Sequence, residues 1–128
     1  MQSLATNRYF RTAKAVSLKS TDRVKIGAVL VSKHQIVSVG FNKMTKTHPK
    51  MSKLSEHKRI HAELDALIGV DASATKGSTV YIYRETRRGG VALSKPCPHC
   101  QVLLKEAGVK TVYYSDPAIF GNISGIKL

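Results

Sequence analysis

Residues 24–41, VKIGAVLVSKHQIVSVGF, hold two Val- and Ile-rich runs on either side of Ser32, Lys33 and His34. β-Branched side chains suit a pleated, half-buried surface, so the runs 24–31 and 35–41 are predicted to pair as an antiparallel hairpin. Upstream, Tyr9, Ala13 and Val16 recur at helical spacing while Arg8, Arg11 and Lys14 fall elsewhere, which predicts an amphipathic helix over 3–18. Downstream, HAELDALIGV (61–70) places Leu64, Leu67 and Ile68 on a helical stripe, with Gly69 as its end signal. STVYIY (78–83) reads as a third strand, followed by the basic, glycine-rich turn RETRRGG. Pro96 as a helix starter, then QVLLKEAG ending at Gly108, predict a third helix, and KTVYY (110–114) the next strand. Only eight residues, 115–122, separate it from a last run, ISGIKL. A parallel return needs a crossover of about a dozen residues or more, so the last two strands are expected to be antiparallel. This alternation of helix and strand predicts an α/β layered fold.

A length of 128 residues with 42% hydrophobic content suits one domain, 1–128, around one core. No apolar run approaches the roughly 18–20 residues of a membrane span, and Arg8, Arg11 and Lys14 interrupt the N-terminal stretch where a signal peptide would be apolar. The expectation is a soluble, cytoplasmic protein with no membrane partner. The 21 Lys and Arg residues against 8 Asp and Glu give a net charge of +13, a field that attracts phosphate-bearing partners. Six of these cations (Lys43, Lys46, Lys50, Lys53, Lys58 and Arg59) lie in 42–60 with one acid, Glu56, and the His48–Pro49 pair, which reads as a long basic loop.

The two cysteines stand together in PCPHC, at positions 97 and 100. Three apart at a helix start, they share a face and can hold one ion, but two sulfurs do not close a tetrahedral site. Structural zinc sites use four protein ligands, whereas catalytic ones use three and leave a position for water, Cys2His being one such set. His61 opens the second helix as Cys97 opens the third, so both helix starts can point at one metal, favouring a neutral imidazole and ionised thiols. Glu63, two residues on from His61, is placed to reach past a metal rather than to ligate it.

His61-Ala62-Glu63 followed by Pro96-Cys97-Pro98-His99-Cys100 resembles the H-x-E…P-C-x-x-C signature of the zinc-dependent cytidine and deoxycytidylate deaminase superfamily. The order of strands around the two motifs extends the resemblance over roughly residues 20–115. It implies a three-layer cytidine-deaminase-like fold, with a mixed central sheet of about five strands and helices on both faces. It also implies one zinc per chain held by His61, Cys97 and Cys100. In that family zinc activates a water that attacks the amine-bearing ring carbon, and the residue matching Glu63 is the catalytic proton shuttle. Asn42, at the end of the second strand, matches an asparagine set against the substrate sugar in nucleotide-type members, with a plain turn asparagine as the alternative. Ala62, inside the motif, is carried over as a substrate-binding position. Asp65 reads as an exposed helical acid, with orientation of His61 as the alternative. His48 and His99 are assigned no chemistry.

The expected substrate is a cytosine base in a small nucleoside or nucleotide. HAELDAL looks like deoxycytidylate deaminases, whereas antiparallel last strands resemble free cytidine deaminases and several polynucleotide deaminases. Purine deaminases share the metal motif. Deamination of single-stranded DNA or RNA is one alternative reading. The other is a non-enzymatic zinc module binding nucleic acid, in which His57, four before His61, closes a four-ligand site. Family members commonly form dimers or larger assemblies, so a homo-oligomer is expected.

Overall fold

The computed structural model describes residues 4, 6–20, 24–43 and 61–128. The basic stretch 44–60, with His48 and His57, lies outside the described residues, as does the start of the first expected helix.

The hairpin forms where the β-branched runs place it. Strand β1 (Ile26–Ser32) pairs antiparallel with β2 (Gln35–Phe41). Lys33 and His34 both take positive φ, 51° and 64°, as the type of two-residue turn that matches strand twist requires. On its other edge β1 pairs antiparallel with β3 (Thr79–Glu85), and β3 pairs in parallel with β5 (Thr111–Ser115). β6 (Ile123–Lys127) runs antiparallel to β5, as the short connection before it demands. The sheet order is β2-β1-β3-β5-β6. A sixth strand, β4 (Val91–Ala92), enlarges the expected five: the RETRRGG turn folds back so that Val91 and Ala92 pair with Glu85 and Arg84.

Helix α1 (Arg8–Ser17) covers one face of the sheet. Asn7 caps it, its Oδ1 accepting from the amides of Tyr9 (2.9 Å) and Phe10 (3.1 Å), so that the helix begins at Arg8, later than the expected start at residue 3. Phe10 and Ala13 pack against Val29, Val31 and Tyr83, while Tyr9 lies at the margin of that cluster. On the opposite face sit α2 (Ala62–Asp65) and α4 (Pro98–Ala107), with α3 (Ala72–Thr75) between them in sequence. Ala62, Ala66 and Leu104 meet Ala28, Leu30, Val80, Ile82 and Val112 there. The three layers follow from strict alternation along β1 and β3, which sends neighbouring residues to opposite cores.

The second helix is shorter than its stripe suggests. Regular α-helix stops at Asp65, turns carry the chain to Gly69 at φ 78°, and α3 was not anticipated. Pro98, not Pro96, is the first helical residue of α4; Cys97 is its N-cap, and Gly108 closes it at φ 99°. Pro96 instead offers its carbonyl to Gln101 Nε2 at 2.8 Å.

Candidate active site

Two helix starts meet beneath the end of β2. Gly40 makes this possible: a methyl group there would run into the Ala62 carbonyl oxygen and the Ala66 amide, so only glycine lets α2 lie against the strand. Asp65 fastens the same contact. Its Oδ2 accepts from the Phe41 amide at 3.1 Å and its Oδ1 pairs with Lys43 Nζ at 3.1 Å. Asp65 is therefore neither the exposed helical acid expected nor a partner of His61; it ties α2 to β2.

His61 is the N-cap of α2, and Cys97 that of α4. His61 Nδ1 lies 3.0 Å from Cys100 Sγ and 3.9 Å from Cys97 Sγ. The three ligand atoms all lie within 4.8 Å of one another. Both cysteines are free thiols, Cys100 fully buried and Cys97 half-buried. Among the described residues this is the group with the chemistry to hold a metal: one imidazole nitrogen and two sulfurs, converging, with no fourth protein donor. Such a set fits zinc with one position left for water.

The donors of the cluster shift one another strongly. Hydrogen bonds from Cys100 and His61, aided by the start of α4, hold the Cys97 thiol down at about 3. That thiolate, then the Glu63 carboxylate, push His61 up to about 10. Cys100 sits nearer the imidazole, but Cys97 carries the charge and so dominates. The Cys100 thiol is pushed up, first by sharing its proton with Cys97 and then by burial.

Glu63 is 5% exposed, and its Oε1 lies 3.5 Å from His61 Nδ1. It lines a cavity of about 260 Å³ together with His61 and Cys97. Asn42 lines it too, buried at 6% exposure, but its side chain is also structural: Oδ1 accepts from the Ile26 amide at 2.9 Å, and Nδ2 donates to the Val24 carbonyl. Ala62 has its methyl in the core, outside the cavity lining, and His99 is exposed. The cavity wall also includes Arg84, Ser94 and Lys95. Buried Ser94 and Ser115 carry no signal in the sequence. Their hydroxyls join at 2.7 Å, Ser94 Oγ donates to the Ile82 carbonyl, and the pair fixes the segment that delivers Cys97.

A family model described as the cytidine and deoxycytidylate deaminase zinc-binding region matches residues 4–116, nearly the whole chain and both halves of the metal site. The chain belongs to this family. It is 25% identical over 127 residues to ComE operon protein 2 of Bacillus subtilis (strain 168), a match covering 91% of this chain and 62% of that protein. The chain thus spans less than two thirds of that relative's length. The dCMP deaminase of cyanophage S-TIM5, solved in complex with dCMP and dUMP, superposes with a TM-score of 0.61 at 25% identity, covering 90% of this chain and 83% of that one. Cytidine deaminase from Burkholderia pseudomallei shares the fold at 21% identity, with a TM-score of 0.64 over 91% of this chain and 87% of that one. Family membership makes zinc the metal for His61, Cys97 and Cys100.

Proposed function

We propose that this protein hydrolyses the exocyclic amine of a cytosine base in a small nucleoside or nucleotide, releasing ammonia. The observation that carries this reading is the open site: three convergent metal donors and a buried carboxylate line one cavity. A closed structural site would use a fourth ligand and leave Glu63 without a task. Bound there, zinc would lower the pKa of a water to about 7, so that a nucleophile would exist at neutral pH.

The chain's own residues do the rest. Glu63 takes one proton from the attacking water and passes it to the ring nitrogen, then takes the second from the newly bonded hydroxyl and delivers it to the departing amine. A carbon–oxygen bond forms at the amine-bearing carbon and the carbon–nitrogen bond breaks, so one water is consumed for each ammonia released. Asn42, held at both ends of its amide, presents a rigid wall to the sugar. Ala62, first residue of α2, offers a main-chain amide that no helical carbonyl takes up.

The substrate of the cyanophage enzyme, dCMP, supports a small cytosine nucleotide. Deamination of single-stranded DNA or RNA is the second reading, favoured by the net charge of +13. The family habit of self-association supports a homo-oligomer, which sedimentation would measure. Ammonia release from cytidine, dCMP, CMP, adenosine and cytosine-containing strands by zinc-loaded protein is the test. Release from dCMP or cytidine is expected; release from adenosine alone would overturn the assignment of the base.

A further inference from the structure

We infer that Arg84 and Lys95 form a phosphate-binding pair in the wall of the catalytic cavity, so that the substrate carries a phosphoryl group on the sugar of its base. This rests on the deaminase reading above and names the substrate class for it.

Along β3, Val80 and Ile82 are fully buried on the face covered by α2 and α4. Alternation sends Arg84 to that same face, one step beyond the helices, where it lines the cavity. Its backbone is held on every side: it pairs with Ile26 of β1 and Ala92 of β4, and its amide donates to Ser115 Oγ at 3.1 Å. Among the described residues its guanidinium has no hydrogen bond or ion pair. Lys95 stands between Ser94 and Pro96, both buried, two residues before Cys97. The Ser94 amide donates to the Ser115 carbonyl at 3.0 Å, so both cations are mounted on backbone locked by Ser115.

Among the described residues the other cations considered are set aside by position. Arg87 and Arg88 are exposed in the turn between β3 and β4 and do not line the cavity. Lys43 is committed to Asp65. Among the described lining residues Glu63 is the one carboxylate, and it belongs to the proton transfers. The described lining thus offers an arginine fork and a lysine point charge on supported backbone, facing the same space as the reacting groups, an arrangement suited to a phosphate dianion.

Binding of dUMP and of deoxyuridine to the zinc-loaded full chain, measured by calorimetry, tests this without turnover. Wild type should bind dUMP at least about tenfold more tightly than deoxyuridine. Arg84→Gln and Lys95→Gln should each weaken dUMP by about ten- to a hundredfold and leave deoxyuridine unchanged. The same variants should raise KM for dCMP with kcat nearly unchanged. Arg87→Gln and Arg88→Gln remove equal charge from the turn and should change nothing. Equal affinity for dUMP and deoxyuridine, or equal effects from the two pairs of variants, overturns the assignment. Dependence of dUMP binding on Arg84 and Lys95 in a protein that releases no ammonia would keep the phosphate site and remove the deaminase reading. Deamination of cytidine and dCMP alike, indifferent to both substitutions, would do the reverse. Preferential turnover of a cytosine-containing strand, lost on the same substitutions, would uphold the phosphate contact with a polymer as its source.

Discussion

Glu63 and His61 show how much one turn of backbone can accomplish at the scale of single residues. A carboxylate at 5% exposure needs a compensating partner, and the imidazole at 3.5 Å provides one in the metal-free protein. With zinc on the donors that partner would be committed to the metal, and on the proposed mechanism the carboxylate would be left to handle protons. Glu63→Ala should therefore retain about one zinc per chain while losing deamination by roughly a hundred- to ten-thousandfold, because the shuttle acts in the transition state. Metal analysis beside an ammonia assay checks it; loss of zinc together with activity would make Glu63 a ligand. Zinc uptake also has a pH signature. The shared hydrogen bonds push His61 up to about 10, hold Cys97 down at about 3 and push Cys100 up. From about pH 5 to 8, then, binding must expel one proton from His61 and one from Cys100, and none from Cys97, which is already a thiolate. Affinity should climb about a hundredfold per pH unit across that range. Competition against a chelator of known affinity reads the slope; a slope of about three near pH 5 would mean that Cys97 is still a thiol there.

The elements bring these residues together through two close approaches, one on each face of the sheet. Gly27 in β1 lies against the backbone of α1 at Ala13 and Ser17, and Gly40 in β2 lies against α2 at Ala62 and Ala66. An added methyl at either position forces helix and strand apart, at a cost of about 1–3 kcal/mol. The functional consequences should differ. Gly40→Ala displaces the helix that His61 caps and should lower zinc affinity along with the melting temperature, whereas Gly27→Ala acts on the far face and should lower the melting temperature alone. Equal zinc affinity in the two variants would show that α2 is not what positions His61. The first hairpin and the last antiparallel pair were legible, because two β-branched runs flank a short turn and because eight residues before β6 cannot make a parallel return; the order of the strands across the sheet was not, since it rests on pairings between segments far apart in sequence. The metal triad was legible because the metal imposes its own spacing on His61, Cys97 and Cys100. The role of Asp65 was not, since its acceptors serve a strand amide and a lysine twenty-two or more residues away, contacts that exist only after folding. Likewise, the helical stripe of 61–70 continues past the point where the backbone leaves α-geometry: Leu67 stays packed against the core even though the helix has ended at Asp65. β4 escaped for a different reason. Two residues are too short for any periodicity to register, and its pairing is set by the β3–β4 turn, where Gly89 adopts φ 86°.

At the scale of the whole molecule the question is what a net charge of +13 attracts. A polynucleotide is held by many cations along a track and by aromatic side chains on which successive bases stack. The cavity's described lining contains no aromatic residue, and the stretch 42–60 has none in its sequence. The stacked tyrosines, Tyr9, Tyr81 and Tyr113, lie on the α1 side of the sheet, away from the metal donors. Phe120 is fully exposed, in the turn between β5 and β6 beside the exposed Ile119. These placements favour a small substrate gripped by one or two cations, with the remaining charge raising its local concentration from a distance. Salt dependence separates the two cases. Screening of a single phosphate should reduce kcat/KM on dCMP by less than about tenfold between 50 and 200 mM salt, since no condensed counterions are released from a mononucleotide. A strand contacting 6–10 phosphates would lose about a thousandfold or more over the same range, by the slope that counterion release imposes on duplexes and, somewhat less steeply, on single strands. Rates on dCMP and on a short cytosine-containing strand, measured side by side at the two salt concentrations, decide between them. Faster turnover of the strand at low salt, collapsing at the higher concentration while dCMP stays slow at both, would make polynucleotide the substrate and reassign the basic surface to tracking its backbone.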